Sequence, residues 1–464
     1  LTVRSGAAPW YWGAEQLTAA YRAGESDPVE MTERFLGRIA ELDPQINSYR
    51  LATAPRARAD AEAARRRYRS GTPLGPLDGV PIALKDLIDT AGIETTYGSR
   101  ILCGRIPSAD AAVAARLRRS GAVLLGKLHL LEFAMGGVTG SEYFGPCRNP
   151  WSGDHFSGGS STGSGAAVAA GMALGALGTD TSGSIRQPAA WCGIVGLKPT
   201  NGSIDLAGIF PLSPTCDTVG PLARSVSDAA LLLDAISDKS AAVSRAGRPH
   251  SLAGIRIGVS ESWVAGSVTG PVGRAFQEAL GVLNSLGAEL SSVDPGFVEE
   301  EVVETYQSIV LFEAARAHRR WFPERAEDYA PYLRANVENG RAVSKKAYVA
   351  ARGRRTDWQA RTGQALAGVV AFVSPTQPTT APSLASDSDH IDGHSVSALA
   401  IRGRFTMPWS VIGWPALSLP AGFSRSGLPI GIQLSAPPGA ESQIFAIAAA
   451  FEAATDHGVR RPIP

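Results

Sequence analysis

Hydroxyl groups crowd one stretch of this 464-residue chain. Between residues 148 and 183, Gly, Ser, Thr and Ala dominate, and charge nearly vanishes apart from Asp154 and Asp180. Three chemistries fit such a block. A loop of this kind, 158–165, can hold an anion on backbone N–H groups. A phosphate-binding P-loop, however, needs Lys and Ser or Thr directly after its last glycine, and here Ala166 and Ala167 follow Gly165. A nucleophile elbow is the second reading, since Gly159, Ser161 and Gly163 satisfy G-x-S-x-G. That motif requires a strand immediately before the serine, whereas NPWSGDHFSG contains a proline, glycines and no apolar run. Acid and imidazole partners such as Asp217 and His250 lie downstream, as they would in any chain of this length.

The third reading needs two hydroxyls and an amine. A serine hydroxyl is a poor nucleophile until a base takes its proton, and a lysine serves as that base only when neutral. Lys85 lies among Val80, Ile82, Leu84, Leu87 and Ile88, an apolar setting that disfavours the ammonium form. The competing reading is a surface ion pair with Asp86 or Asp89. His129 and His155 are read as structural, because the lysine leaves no need for an imidazole base.

Sequence similarity favours the relay. GGSSTGSG at 158–165, continued by AAVAAGMALGALGTDTSGSIRQPAAWCGIVGLKPT to residue 200, closely resembles the amidase signature. The resemblance extends to GPLDGVPIALKDLIDTAGIETTYGS at 75–99, LLEFAMGG at 130–137, CDTVGPLARSVSDAALLLDAI at 216–236 and GWPALSLPAGFSRSGLPIGIQL at 413–434. It is weakest over 295–365.

The amidase signature family implies a serine–serine–lysine relay, placing the base on Lys85, the bridging hydroxyl on Ser160 after a cis peptide bond, and the nucleophile on Ser184. The backbone amides of Thr181, Ser182, Gly183 and Ser184 would then form the oxyanion hole, Ser182 standing where the family commonly has glycine. Ser161 is expected as a loop-stabilising hydroxyl, with a supporting catalytic hydrogen bond as the alternative, while Asp180 and Asp217 are expected to hold the loop and Arg186 to pair with a buried carboxylate. Phe133, Met135, Gly136, Gln187, Trp409 and Trp414 are the candidate substrate contacts. The implied reaction is hydrolysis of a small-molecule carboxamide, an aryl amide or hydrazide among them, through an acyl-enzyme without cofactor or metal. Two alternatives are a glutaminase subunit of a tRNA-dependent amidotransferase, suggested by SIRQPA around Gln187, and a catalytically silent binding protein.

Positioning these groups calls for an α/β framework. Residues 28–42 read as an amphipathic helix capped by Asp27, 77–88 as a buried strand ending near Lys85, 108–119 as a helix and 122–126 as a strand. A close-packed small-residue helix is expected over 165–172, then a strand over 174–178. Beyond a polar connector at 245–249, a strand at 255–259 and a helix at 272–286 start another α/β unit, followed by a helical, Arg-rich stretch at 300–365. Alternation of this kind gives an α/β/α sandwich around a mixed, twisted central sheet. The family resemblance makes it one domain over 1–464, with a helical excursion near 295–365 over the pocket.

Composition sets the expected surroundings. With 44 basic and 43 acidic residues the net charge is +1, so no overall field draws the chain to nucleic acid or to an anionic membrane. The expected partners are the small-molecule amide that the resemblance implies and a second copy of the chain, with no nucleic acid and no membrane. Cys103, Cys147, Cys192 and Cys216 show neither metal-binding nor redox spacing and read as buried free thiols. No apolar run reaches the ~20 residues of a membrane span. The beginning, LTVRSGAAPW, lacks a signal-peptide core, and a cytoplasmic location is expected.

Overall fold

The computed structural model describes residues 8–137, 143–237, 251–386, 388–391, 394–397 and 401–462. The connector expected at 245–249 and His250 lie outside them. Eleven strands form one sheet, in the order Tyr49–Ala52, Val123–Leu128, Pro81–Lys85, Gly175–Asp180, Thr218–Ala223, Val195–Lys198, Ala416–Phe423, Pro429–Ser435, Ala371–Pro375, Arg256–Val259 and Glu289–Ser292. Pro81–Lys85 runs parallel to both its neighbours, while Gly175–Asp180 and Thr218–Ala223 are antiparallel, so the sheet is mixed as expected. Helices cover both of its faces. Every residue of Pro81–Lys85 and of Gly175–Asp180 is buried, which explains their unbroken apolar or small-residue character.

The helix Pro28–Ile46 starts where Asp27 predicts, with the carboxylate accepting the amides of Val29 and Glu30. It buries Met31, Phe35 and Ile39 and runs past the expected end at 42, through Pro44. Asn47 in the left-handed region then closes it, while Asp43 takes the amide of Ser48. The helix expected at 165–172 is Thr162–Ala169, one turn earlier. Close backbone approach sets this position, since a Cβ on Gly163 would lie 2.1 Å from the carbonyl oxygen of Ser48. The helix expected from 108 begins only at Ala112, because Asp110 is drawn off to the amide of Ala91.

Between the strands Glu289–Ser292 and Ala371–Pro375 the chain forms the helices Glu299–His318, Pro331–Ala342 and Lys345–Ala365. Three of the four cysteines are buried free thiols, but Cys103 is exposed, on the turn after the short 3-10 helix Arg100–Leu102. No helix among the described residues is long and apolar enough to cross a membrane.

Candidate active site

Lys85 closes the strand Pro81–Lys85 and is wholly buried. The ion-pair alternative fails on geometry. Asp86 turns to Lys127, 3.0 Å away, and Asp89 to Arg105, 2.6 Å away, so neither carboxylate serves Lys85. Its Nζ instead lies 2.8 Å from Ser160 Oγ and 2.8 Å from Thr179 Oγ1. Burial pulls the amine down from 10.5 to about 7, against the opposing pull of Asp180 and Asp217. A substantial fraction is therefore neutral near pH 7.

Ser160 sits at the turn into the helix Thr162–Ala169, after a cis bond from Gly159. The turn is tied on both sides, with Gly159 donating to Gln187 Oε1 at 2.9 Å and Leu131 donating to the Ser160 carbonyl at 3.1 Å. Ser161 is committed to backbone. Its Oγ donates to the Thr179 carbonyl at 3.2 Å and accepts the Thr179 amide at 3.3 Å. The strand before this turn, Ser152–Phe156, pairs with the two-residue strand Arg148–Asn149 and bridges through His155 to Ser383, and it is not part of the main sheet. The elbow geometry is thus missing at Ser161. His129 contacts Thr162 rather than Ser160 or Ser184, and burial drives its pKa down to about 4.

Ser184 follows the strand Gly175–Asp180, in a loop organised by Asp180. That carboxylate accepts the amides of Gly183 at 2.7 Å and Ile185 at 3.2 Å and pairs with Arg186 at 3.1 Å. Burial pushes Asp180 up, yet Arg186, its hydrogen bonds and Lys198 bring it below the ordinary range. Arg186 also reaches Ser410 Oγ at 2.8 Å and Gln433 Oε1 at 3.1 Å, linking the loop to the helix Met407–Ile412 and the strand Pro429–Ser435. On the other side Thr181 Oγ1 donates to Asp217 at 2.7 Å, and burial raises Asp217 to about 7. Gly183 has φ +133°, and a Cβ there would lie 2.4 Å from Thr406 Oγ1. The Gly183 amide, expected in the oxyanion hole, is spent on Asp180; those of Thr181, Ser182 and Ser184 remain in the loop.

Ser160, Thr181, Ser182, Gly183 and Ser184 line one cavity of about 350 Å³, together with Met135, Gly136 and Gln187. Phe133, Trp409 and Trp414 do not line it. Phe133 packs against Tyr97, Phe210, His318 and Trp321. Trp409 and Trp414 pack on each other in a second aromatic core with Trp263, Phe297 and Phe372. Large aromatic side chains gain more from such burial than from a cavity wall. A larger groove, about 910 Å³, lies between Phe312, Arg316, Tyr348 and Arg352 and contains none of these serines.

Sequence reading missed Thr179, Thr406, Tyr306, Gln307, Tyr332, Asn336 and Arg402. Thr179 and Thr406 meet Lys85 and Ser182 respectively, and the others line the cavity. One signal was present: Val303, Tyr306, Gln307 and Leu311 share a face of the helix Glu299–His318 at three- and four-residue spacing, and that face turns to the cavity.

Comparison with known proteins agrees with this geometry. The chain is 37% identical to one component of the glutamyl-tRNA(Gln) amidotransferase of Geobacter sp. (strain M21), the subunit designated by the letter A, over 96% of this chain and 98% of that protein. Its fold matches a crystal structure of an amidase with TM-score 0.88 at 32% identity, covering 95% and 99% of the two chains. It also matches the peptide amidase of Stenotrophomonas maltophilia with TM-score 0.82 at 31% identity, covering 95% and 96%. The Geobacter relative fits the amidotransferase alternative better than a small-molecule amidase. Its name includes a tRNA and marks it as one part of a larger enzyme, which overturns the expectation, drawn from net charge alone, of no nucleic acid among the partners. A near-neutral total says nothing about local charge. With the family described as Amidase matching residues 30–445, around a site in which a buried lysine meets a serine hydroxyl, the chain belongs to the Amidase family of carbon–nitrogen hydrolases.

Proposed function

We propose that this chain cleaves a carboxamide by acyl transfer to Ser184, with Ser160 relaying the proton and Lys85 as the base. Ser184 Oγ attacks the carbonyl carbon while its proton passes to Ser160, whose own proton moves to Lys85 Nζ. The amides of Thr181, Ser182 and Ser184 stabilise the oxyanion. Collapse breaks the C–N bond, the leaving nitrogen takes the proton back along the same route, and water then releases the acid from Ser184. The observation that carries this reading is the 2.8 Å contact of Lys85 with Ser160, at a lysine whose pKa is lowered to about 7.

Two uses of this chemistry are distinguished by their acceptor. The amidotransferase relative supports release of ammonia from glutamine for transfer to a glutamyl-tRNA held with further subunits. The fold match to the amidase structure supports a free-standing hydrolase of small amides. Ammonia release by the purified chain from glutamine and from benzamide, with and without amidotransferase partner subunits and glutamyl-tRNA, tests both. Glutamine turnover that rises on adding subunits and tRNA supports the first, and benzamide turnover by the chain alone supports the second. If neither substrate releases ammonia under any of these conditions, the acyl-transfer proposal fails.

A further inference from the structure

Arg402 is the formally charged residue among the described residues that line the cavity of Ser160 and Ser184. Two contacts fix its segment over the site. Arg402 Nη2 donates to the Gly136 carbonyl at 3.0 Å, and four residues later Thr406 Oγ1 donates to the Ser182 carbonyl at 2.6 Å. Nη1 is shielded from water and has no hydrogen-bond partner among the described residues. Among the described residues no carboxylate pairs with Arg402, whereas Arg404, two residues along, pairs with Glu299. The groups around its guanidinium are the phenols of Tyr306 and Tyr332, and Asn336 and Gln307 supply further neutral polar groups in the same cavity.

Arg402 is half-buried, but a guanidinium nitrogen withdrawn from water without a counter-charge is costly to hold, and an arriving carboxylate relieves that cost through paired, charge-assisted hydrogen bonds. We infer that Arg402 receives a carboxylate carried by the substrate, so that the amides cleaved at Ser184 are monoamides of dicarboxylic acids or amino-acid amides of the same form. With a primary amide the leaving group is ammonia, which places this carboxylate on the acyl side. Tyr306 and Tyr332 line the same cavity beside Arg402 and offer phenol donors to an anion there. This inference rests on the hydrolase reading for its kinetic test but not for its binding test.

The experiment compares acids from malonamate to adipamate with their neutral diamides. In the wild-type chain the best acid should exceed its diamide in kcat/KM by at least ~30-fold, the lower end of what truncating one partner of a buried charge pair loses. Arg402→Gln should bring that ratio to about one, and Arg402→Lys, which keeps the charge, should retain part of it. Circular dichroism confirms that both variants fold. In parallel, calorimetric titration of Ser184→Ala with the same acid and diamide reads the anion site without turnover, alone and combined with Arg402→Gln. A wild-type ratio near one, or a ratio unchanged in Arg402→Gln, overturns the inference. If no compound is hydrolysed, the hydrolase reading fails, and the titration then decides: acid binding lost with Arg402→Gln upholds the anion site, and equal binding of acid and diamide overturns it.

Discussion

Replacing Lys85 by methionine should abolish turnover and yet stabilise the fold at neutral pH. The lysine is fully buried, and its pKa falls from 10.5 to about 7. At about 1.4 kcal/mol per unit, carrying it in this site costs the folded state about 4 kcal/mol at pH 7 relative to a solvated lysine in the unfolded chain. Methionine occupies a similar volume without that cost. Against the gain stand the contacts with Ser160 and Thr179, each worth about 1 kcal/mol. The net expectation is a variant about 2 kcal/mol more stable at pH 7. The sign of the pH dependence follows from the depressed folded pKa. Below pH 7 the wild type bears the full penalty; as pH rises toward 10.5 the unfolded lysine also loses its proton and the penalty fades. The advantage of Lys85→Met should therefore shrink by about 1.4 kcal/mol per pH unit across that window and reverse at about pH 9, near its middle. Lys127 and Lys198, also buried and lowered, are common to both proteins and cancel in the difference, apart from coupling through Asp180. Urea unfolding midpoints of both proteins at pH 7, 8, 9 and 10 measure it. A difference that does not change with pH would refute a buried, neutral lysine.

The acid limb of kcat/KM should have an apparent pKa near 7, with activity falling about tenfold per unit below it, because only neutral Lys85 accepts the proton. Asp217→Asn removes a charge that raises Lys85 and should move this limb to lower pH; a limb shifted upward would contradict the assignment. A fluorophosphonate should label the peptide containing Ser184, and Ser184→Ala should lose both labelling and turnover by several orders of magnitude, on the order of 10³-fold or more. Ser161→Ala should still be labelled, and mass spectrometry that finds the adduct on Ser161 would reverse these roles. Gly183→Ala should lower kcat and cost about 2 kcal/mol of stability, since its φ is left-handed and its Cβ would meet Thr406; unchanged kcat would show that the loop is not held by this contact.

Local pattern announced several of the elements, whereas the roles given to Lys85, Ser160 and Ser184 came from the family resemblance. The buried strand ending at Lys85, a small-residue helix, expected at 165–172 and found one turn earlier, and the glycine-hydroxyl loop to Ser184 were legible, because burial on both faces demands continuous apolar or small residues and close backbone approach demands glycine. Asp27 announced its helix in the same way. Pairings across the sheet were not legible. That Lys85 meets Ser160 and Thr179, rather than the adjacent Asp86 or Asp89, depends on parallel pairing of Pro81–Lys85 with Gly175–Asp180, 94 residues apart at the Lys85–Thr179 contact. Phe133, Trp409 and Trp414 looked like pocket walls because an aromatic residue carries no mark of whether its neighbours will be core or cavity. Tyr306, Tyr332 and Arg402 reach the serines only through helix packing and a turn pinned to Ser182, contacts between segments far apart in the chain. Residue type and short-range spacing are written locally, whereas which groups share a cavity, and which charge is left without a partner, depends on how distant segments pack.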